Sequence, residues 1–269
     1  MVAGRQSRAA TSRKGGSVRS VRQLMPEARD LDDGELIDLY DWPEDCSRPW
    51  VRGLMAMTLD GTFVGPDGVS GSVSGRADSQ VFSASRALAD VFLVGAQTVR
   101  AEGYKAVRAR PELAERRAAR GQRPAPVLAV VSATCRFDWP DAEWRSSDEQ
   151  PMVITPSGSD PALRQIASES GVEVLVTGDD VVRPGDIVAL LAERGLVRVN
   201  CEGGPSLLGE IIAADLVDEL ALTLSPLTTH AHVPRMGERV VRNRMRLEHL
   251  LESDGYLFTR YVRDRAATA

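Results

Sequence analysis

Val199-Asn200-Cys201-Glu202-Gly203-Gly204-Pro205-Ser206-Leu207-Leu208-Gly209 is the stretch on which the fold of this 269-residue chain turns. Gly195 to Cys201 has the length and β-branched content of a buried strand, and Leu207, Leu208, Ile211, Ile212 and Leu216 then recur at the 3.6-residue period of a helix. The glycine pair therefore marks a strand-to-helix turn. Gly203 and Gly204 carry no Cβ and admit another molecule close to the backbone. Pro205 suits the first helical position, and Ser206 adds a hydroxyl. The free amides and positive dipole end of such a helix attract anions, phosphates above all. The stretch reads as a phosphate cradle with Glu202 at its lip.

Working outward, strands are expected at 50–57, 90–95, 126–132, 151–155, 172–177 and 196–201, and helices at 76–88, 97–102, 111–120, 160–170 and 185–194. Strands separated by helices imply a parallel sheet covered on both faces. The end of the chain differs. Asp218 to Pro226 follows the glycine-turn helix, and Leu247–Leu251 and Tyr256–Val262 flank Ser253-Asp254-Gly255, a hairpin signal. The sheet is expected to close in antiparallel strands, within one domain over residues 50–265. A short helix near 31–40 and a polar connector fill 26–49, and residues 1–25 read as a disordered basic tail.

The composition, 43% apolar and 5% aromatic, is that of an ordinary globular protein. No run approaches the ~20 apolar residues of a membrane span, so no membrane partner and a cytoplasmic location are expected. A net charge of −5 gives no basic field for nucleic acid, and an anionic ligand must be held by local donors. Cys46, Cys135 and Cys201 lack the spacing of a zinc site or a disulfide framework, and His230 and His232 share a loop without a helical partner. No metal is expected.

Two further segments carry chemistry. Met55-Ala56-Met57-Thr58-Leu59-Asp60-Gly61 ends the first strand, and a loop rich in glycine and serine follows through Ser72 and Ser74. Such a loop can fold over a ligand at the carboxyl edge of the sheet. Val94-Gly95-Ala96-Gln97-Thr98 then begins a short helix on which Thr98 and Glu102 share a face.

With these motifs in order, Thr58-Leu-Asp-Gly61, Gly95-x-x-Thr-Val-x-x-Glu102, Glu202-Gly-Gly-Pro-Ser-Leu-Leu-Gly209 and Leu216-Val-Asp-Glu-Leu220, the chain resembles the reductase domain of bifunctional riboflavin-biosynthesis deaminase-reductases over about residues 50–262. It is similar also to standalone actinobacterial pyrimidine reductases. The resemblance implies a dihydrofolate reductase-like α/β fold: three layers, α/β/α, around a mostly parallel sheet ending in an antiparallel hairpin. It implies NADPH-dependent reduction of a phosphoribosylamino-pyrimidine, as 5-amino-6-(5-phosphoribosylamino)uracil reductases perform, by a homodimer. Thr98, Ser132, Gly203, Gly204, Pro205, Ser206 and Leu207 fall where that family holds NADPH, and Ser72, Arg86 and Glu202 where it holds substrate. Glu102 falls at the cofactor–substrate junction. The deaminase signature His-x-Glu followed by Pro-Cys-x-x-Cys is absent from the sequence, so zinc deamination is not expected. Leu54 stands where these reductases usually have a lysine, and Ser74 where they often have a tryptophan.

Hydride transfer needs placement and a nearby proton source more than reactive side chains. Glu102 and Glu202 are the candidate catalytic acids. Each has a simpler alternative, a helix-terminal surface acid and a carboxylate at a helix N-terminus. Asp60 reads first as a turn residue, Thr98 as a possible helix cap, Arg86 as either a surface ion-pair partner or a phosphate ligand, and Ser132 with Arg136 as contacts for a 2′-phosphate. Two other functions stay open at this level: reduction of a pterin such as dihydrofolate, and a non-catalytic NADPH-binding regulatory module.

Overall fold

The structure, a computed structural model, describes residues 20–264 apart from 45, 140, 179 and 230–242. Strands β1 (Val21–Met25) and β2 (Arg29–Leu31) precede helix α1 (Asp33–Leu39). Then come β3 (Trp50–Thr58), α2 (Arg76–Arg86), β4 (Val91–Gly95), α3 (Ala96–Glu102), α4 (Ala114–Ala119), β5 (Val127–Val131), β6 (Met152–Pro156), α5 (Pro161–Glu169), β7 (Glu173–Thr177), α6 (Pro184–Ala192), β8 (Arg198–Cys201) and α7 (Pro205–Ala213). β9 (Glu219–Ser225), β10 (Met245–Ser253) and β11 (Tyr256–Arg263) complete the order. All strands join one sheet, β2-β1-β10-β11-β9-β3-β8-β4-β5-β6-β7. From β9 to β7 the neighbours run parallel, and β11, β10, β1 and β2 continue it antiparallel.

The central strands are apolar on both faces because helices cover both faces. Val91 and Leu93 of β4 and Val127 and Ala129 of β5 enter one core with Ile187, Leu191, Leu208 and Ile211 of α6 and α7. Phe92 and Val94, with Leu128 and Val130, enter the opposite core beside Trp139 and Trp144. Successive residues thus feed alternate layers, as the two-residue strand period requires. This is the three-layer α/β/α architecture of the dihydrofolate reductase-like fold.

At the antiparallel end the hairpin forms as expected. Ser253 pairs with Tyr256 around Asp254 (φ 50°) and Gly255 (φ 84°), the two positive φ angles of a type I′ turn. The boundaries of the amino-terminal segments need correction. Residues 21–25, assigned to the tail, form β1 and pair with β10, Arg22 opposite Glu252. Val21 and Gln23 point into the protein, at 0% and 4% exposure, so β1 is held by burial its own short sequence does not advertise. The segment assigned to a helix and connector supplies β2 and α1, the latter closed by an Asp32/Glu35 capping box. Its Leu36 and Tyr40 enter a third core with Leu54 and Phe258, so this segment packs as part of the same sheet-and-helix body. The helix expected at 111–120 is a 3-10 turn, Pro111–Leu113, followed by α4.

One buried charge cluster ties the two halves of the sheet together. Glu219 lies between Arg52 and Arg260, and both arginines also donate to the α1 exit, Arg260 Nη1 to Leu39 O at 2.6 Å and Arg52 Nη2 to Asp41 O at 3.4 Å. The Arg52 guanidinium lies 4.0 Å from the centre of the Trp42 ring. Burial raises the pKa of Glu219, but Arg52 and Arg260 outweigh it and hold the carboxyl below its ordinary value.

Candidate active site

β3, β8 and β4 end side by side, with Cys201 opposite both Gly53 and Leu93, and the segments that leave them enclose a cleft of about 1140 Å3. This is the carboxyl edge of a parallel sheet, where open α/β proteins place their ligands. Among its lining residues are Thr98, Glu102, Arg86, Glu202, Gly204, Pro205, Ser206 and Leu207, brought together from α2, α3 and the start of α7.

The glycine turn is held against α3 by backbone contact. Gly95 N donates to Gly203 O at 2.7 Å. A Cβ on Gly204 would stand 2.7 Å from Thr98 Oγ1, and one on Gly203, whose φ is +80°, 2.9 Å from Met55 Sδ. Neither position admits a side chain without movement. Gly203 itself does not line the cleft; it sets the course of the chain beneath it. Gly204 is the N-cap of α7 and offers no side-chain hydrogen bond, so the first-turn amides of α7 keep no capping partner. Ser206 is exposed beside them. Cys201, just before the turn, is fully buried, and burial pushes its thiol up to about 12.

Opposite the turn, Glu202 is enclosed by donors. Its Oε1 accepts from Arg86 Nε at 2.6 Å and from Asn200 Nδ2 at 3.0 Å, and its Oε2 accepts from Tyr104 Oη at 2.6 Å and from Arg86 Nη2. Glu202 N donates to Leu93 O, which fixes its backbone to β4. The Arg86 guanidinium lies 4.1 Å from the Phe82 ring centre and 4.5 Å from that of Phe92. Burial acts against the Arg86 charge, yet Glu202 beside it outweighs burial and raises its pKa above the usual value. Burial and the Glu202 charge together push the Tyr104 phenol well up. The Arg86 guanidinium also interacts with the Tyr104 hydroxyl, and Arg86 lines the cleft. Glu202 and Arg86 thus answer each other first, which neither the surface ion-pair nor the simple phosphate-ligand reading of Arg86 described.

Glu102 does different work. Its Oε1 accepts from Ser70 N at 2.7 Å, strapping the loop after β3 across the mouth of the cleft. Its Oε2 makes no hydrogen bond among the described residues. At the base of that loop Asp60 accepts from Thr58 Oγ1 at 2.6 Å and from Thr229 N at 3.2 Å. Asp60 therefore joins the loop to the segment after β9, beyond the local turn role expected of it.

Besides Gly203, three expected residues lie off the cleft. Ser132 is buried, and its Oγ accepts from Cys135 N at 3.1 Å. It closes the turn after β5 while its neighbours Val131 and Ala133 line the cavity. Arg136 does not line the cleft and accepts at its carbonyl from Arg100 Nη2. Ser72 is exposed and donates to Asp67 Oδ1 and Val69 O; Ser70 and Ser74 of the same loop line the cleft instead. The sequence reading missed Tyr104 and Asn200. Asn200 had a signal, since it precedes Glu202 by the two residues that share a strand face. Tyr104 had none, because it reaches Glu202 across 98 residues of chain. His230 and His232 lie outside the described residues, among which no group of three or more His, Cys, Asp or Glu is placed to hold a metal ion.

The chain is similar in sequence and in fold to known proteins. The 2,5-diamino-6-ribosylamino-4(3H)-pyrimidinone 5′-phosphate reductase of Archaeoglobus fulgidus is 28% identical over 180 residues, 67% of this chain and 81% of that protein. The reductase of the same name from Methanothermobacter thermautotrophicus is 31% identical over 180 residues, 67% of this chain and 79% of that protein. Among solved structures, a pyrimidine reductase-like protein from Corynebacterium diphtheriae has a TM-score of 0.74 at 26% identity, covering 86% of this chain and 99% of that one. The model of the RibD C-terminal domain family matches residues 49–255. The chain is therefore a member of the RibD C-terminal domain family, a family of reductases.

Proposed function

We propose that the protein is an NADPH-dependent reductase that converts the ribosylamino group of a pyrimidine 5′-phosphate into a ribitylamino group. One observation supports this above others: a helix N-terminus without a side-chain cap, at Gly204, and the Arg86–Glu202–Tyr104 cluster line a single cleft. One end suits the pyrophosphate of a dinucleotide and the other a polar, anionic substrate. The curated relatives reduce such a pyrimidine by name.

The nicotinamide, when bound, supplies the hydride that C1′ of the sugar accepts. The chain supplies placement. Gly204, Pro205, Ser206 and Leu207 hold the pyrophosphate on the first turn of α7, Gly203 shapes the turn, and Thr98 packs against it from α3. Ser132 acts from behind, by fixing the turn after β5. Arg86 lines the substrate end of the cleft while Glu202 keeps its guanidinium in place. Ser72 serves the loop through Asp67. Sugar opening needs one proton at the ring oxygen, and Glu102, on the face of α3 shared with Thr98, keeps Oε2 without a hydrogen bond among the described residues, whereas both Glu202 oxygens are occupied. The loop strapped by Glu102 keeps water from the reacting carbon.

By the same reading the protein is a cytoplasmic homodimer whose ligands are small molecules. No helix among the described residues is long and apolar enough to cross a membrane. The test is consumption of NADPH by the purified protein with the ribosylamino-pyrimidine phosphate, the product identified by mass. NADH is expected to serve poorly and dihydrofolate not at all. Tight NADPH binding with no oxidation by either compound would leave the regulatory module as the function.

A further inference from the structure

Tyr40 reaches the cleft from a segment that lies ahead of the matched family region. The family model covers residues 49–255, whereas Tyr40 is the C-cap of α1. The residue is 2% exposed and lines the cleft with Leu54, Val81, Phe82 and Phe258, which pack around it in the third core. Its hydroxyl makes no hydrogen bond among the described residues, and it is not one of the buried polar atoms closed off from solvent. The little surface that Tyr40 presents to the cleft therefore includes this oxygen.

Much of the surrounding structure fixes this ring. The backbone carbonyls on either side of it are held by guanidinium groups: Leu39 O accepts from Arg260 Nη1 at 2.6 Å, and Asp41 O from Arg260 Nη2 at 3.3 Å and Arg52 Nη2 at 3.4 Å. The Asp41 carboxylate is anchored in turn to the Arg120 guanidinium, at 2.8 and 2.6 Å. His249 meets the ring edge-on, 4.9 Å between centres, and the Arg52 guanidinium lies 5.7 Å from the ring centre. Packing alone asks for a phenylalanine at such a place, because a hydroxyl taken out of water without a partner is unfavourable. Burial raises the Tyr40 pKa above its ordinary value, so the oxygen keeps its proton and can donate it to a hydrogen bond. What complements it is an acceptor, an oxygen or a ring nitrogen, on a flat molecule whose faces suit the apolar floor.

We propose that Tyr40 is a substrate-binding residue whose hydroxyl donates a hydrogen bond to an acceptor atom on the substrate's heterocycle, so that residues 21–42 complete the substrate end of the cleft. The proposal rests on the reductase reading for the identity of the ligand, and it adds a residue from outside the matched family region. A polar atom in an apolar floor decides which edge of a ring lies against it. Without the hydroxyl the ring still fits, but its acceptor is buried with no donor. Tyr40 thus orients the heterocycle, and through it the sugar carbon that must meet the nicotinamide.

The test uses Tyr40→Phe, which removes the oxygen and keeps the ring. Calorimetry reads binding of 2,5-diamino-6-ribosylamino-4(3H)-pyrimidinone 5′-phosphate without cofactor, fluorescence titration reads NADPH, and circular dichroism with the melting temperature checks the fold. Affinity for the pyrimidine phosphate is expected to fall ~10-fold, while NADPH affinity stays unchanged and the melting temperature does not fall. In the wild type labelled with carbon-13 at tyrosine Cζ, the same compound is expected to shift the Tyr40 resonance. Unchanged affinity in a folded Tyr40→Phe, a Tyr40 resonance that does not move, or no binding of the compound by the wild type would overturn the assignment. Unchanged affinity with NADPH oxidation intact would leave the reductase reading standing without Tyr40. The expected loss of affinity in a protein that oxidises no NADPH would remove that reading and leave Tyr40 as a recognition residue.

Discussion

Arg86 and Glu202 hold each other at two points across 116 residues of sequence, Nε to Oε1 at 2.6 Å and Nη2 to Oε2. The pair joins α2 to the end of β8 at the floor of the cleft. Its Glu202 side chain is 2% exposed and its Arg86 side chain 28%. Each residue is a candidate for the site by sequence; together they form one unit that neither position announces.

Removing the Glu202 charge leaves Arg86 facing an uncompensated, largely buried position. Glu202→Gln is expected to destabilise the protein by about 3 kcal/mol, the low end for breaking a buried pair, because Arg86 retains some water. Turnover is expected to fall by ~10²-fold through misplacement of Arg86. Urea denaturation and steady-state kinetics check the two effects. An unchanged denaturation midpoint would show that the pair is not the anchor described.

The fit between Thr98 and Gly204 makes a reciprocal prediction. Gly204→Ala puts its methyl 2.7 Å from Thr98 Oγ1, where nothing fits without displacement. A loss of NADPH affinity of ~10-fold or more, about 1.4 kcal/mol, is expected. Adding Thr98→Ala removes the atom that clashes and is expected to recover most of the loss. Fluorescence titration with NADPH reads both variants, and a double variant no better than Gly204→Ala alone would disprove the packing account.

Glu102 is expected to separate loop closure from proton transfer. Glu102→Gln keeps an oxygen for Ser70 N but moves no proton, so kcat falls by ~10²-fold or more while KM changes little. Glu102→Ala also releases the loop; losing a charged hydrogen bond, about 1.5 kcal/mol or more, is expected to raise KM ~10-fold in addition. If the two variants share the same KM, the strap does not position substrate.

His249, which does not line the cleft itself, sets a pH dependence of stability. It is 1% exposed and packs edge-on against Tyr40, 4.9 Å between ring centres. Burial first, then the Arg260 charge, lowers its pKa from 6.5 to about 3. The folded state keeps the ring neutral where the unfolded chain takes up a proton. Stability from this residue is therefore fully present above pH 6.5 and declines as pH falls from 6.5 towards 3. The slope approaches one proton, about 1.4 kcal/mol per pH unit. Glu219, with its depressed pKa, adds to the decline only below its ordinary value of 4.5. Denaturation midpoints between pH 4.5 and 6.5 are expected to flatten in His249→Gln.

The parallel core was legible because its signals are local. Gly195–Cys201 and Val91–Gly95 read as strands, and Gly203-Gly204-Pro205 as a helix start, from neighbours within a few residues. The hairpin at Asp254-Gly255 was legible for the same reason, since both positions demand a backbone that few residues adopt. β1 was not. Val21–Met25 is five residues among basic and small neighbours, and only its pairing with β10, over two hundred residues later in the chain, makes it a strand. Within the site, Thr98, Glu102, Glu202 and Gly204–Leu207 were found from motif spacing, and all of them line the cleft. Ser132 and Ser72 lie in the expected segments with their hydroxyls turned to local backbone or a neighbouring acid. Spacing fixes the segment, and local hydrogen bonds decide the direction of the side chain.

The central claim, direct hydride transfer from NADPH to the sugar carbon in this cleft, is tested by label transfer. NADPH deuterated at nicotinamide C4, on one face or the other in separate reactions, is incubated with the protein and the ribosylamino-pyrimidine phosphate. The account predicts one deuterium at C1′ of the ribityl product from one of the two cofactors and none from the other. A ribityl product without deuterium from both, or no product at all, would contradict it.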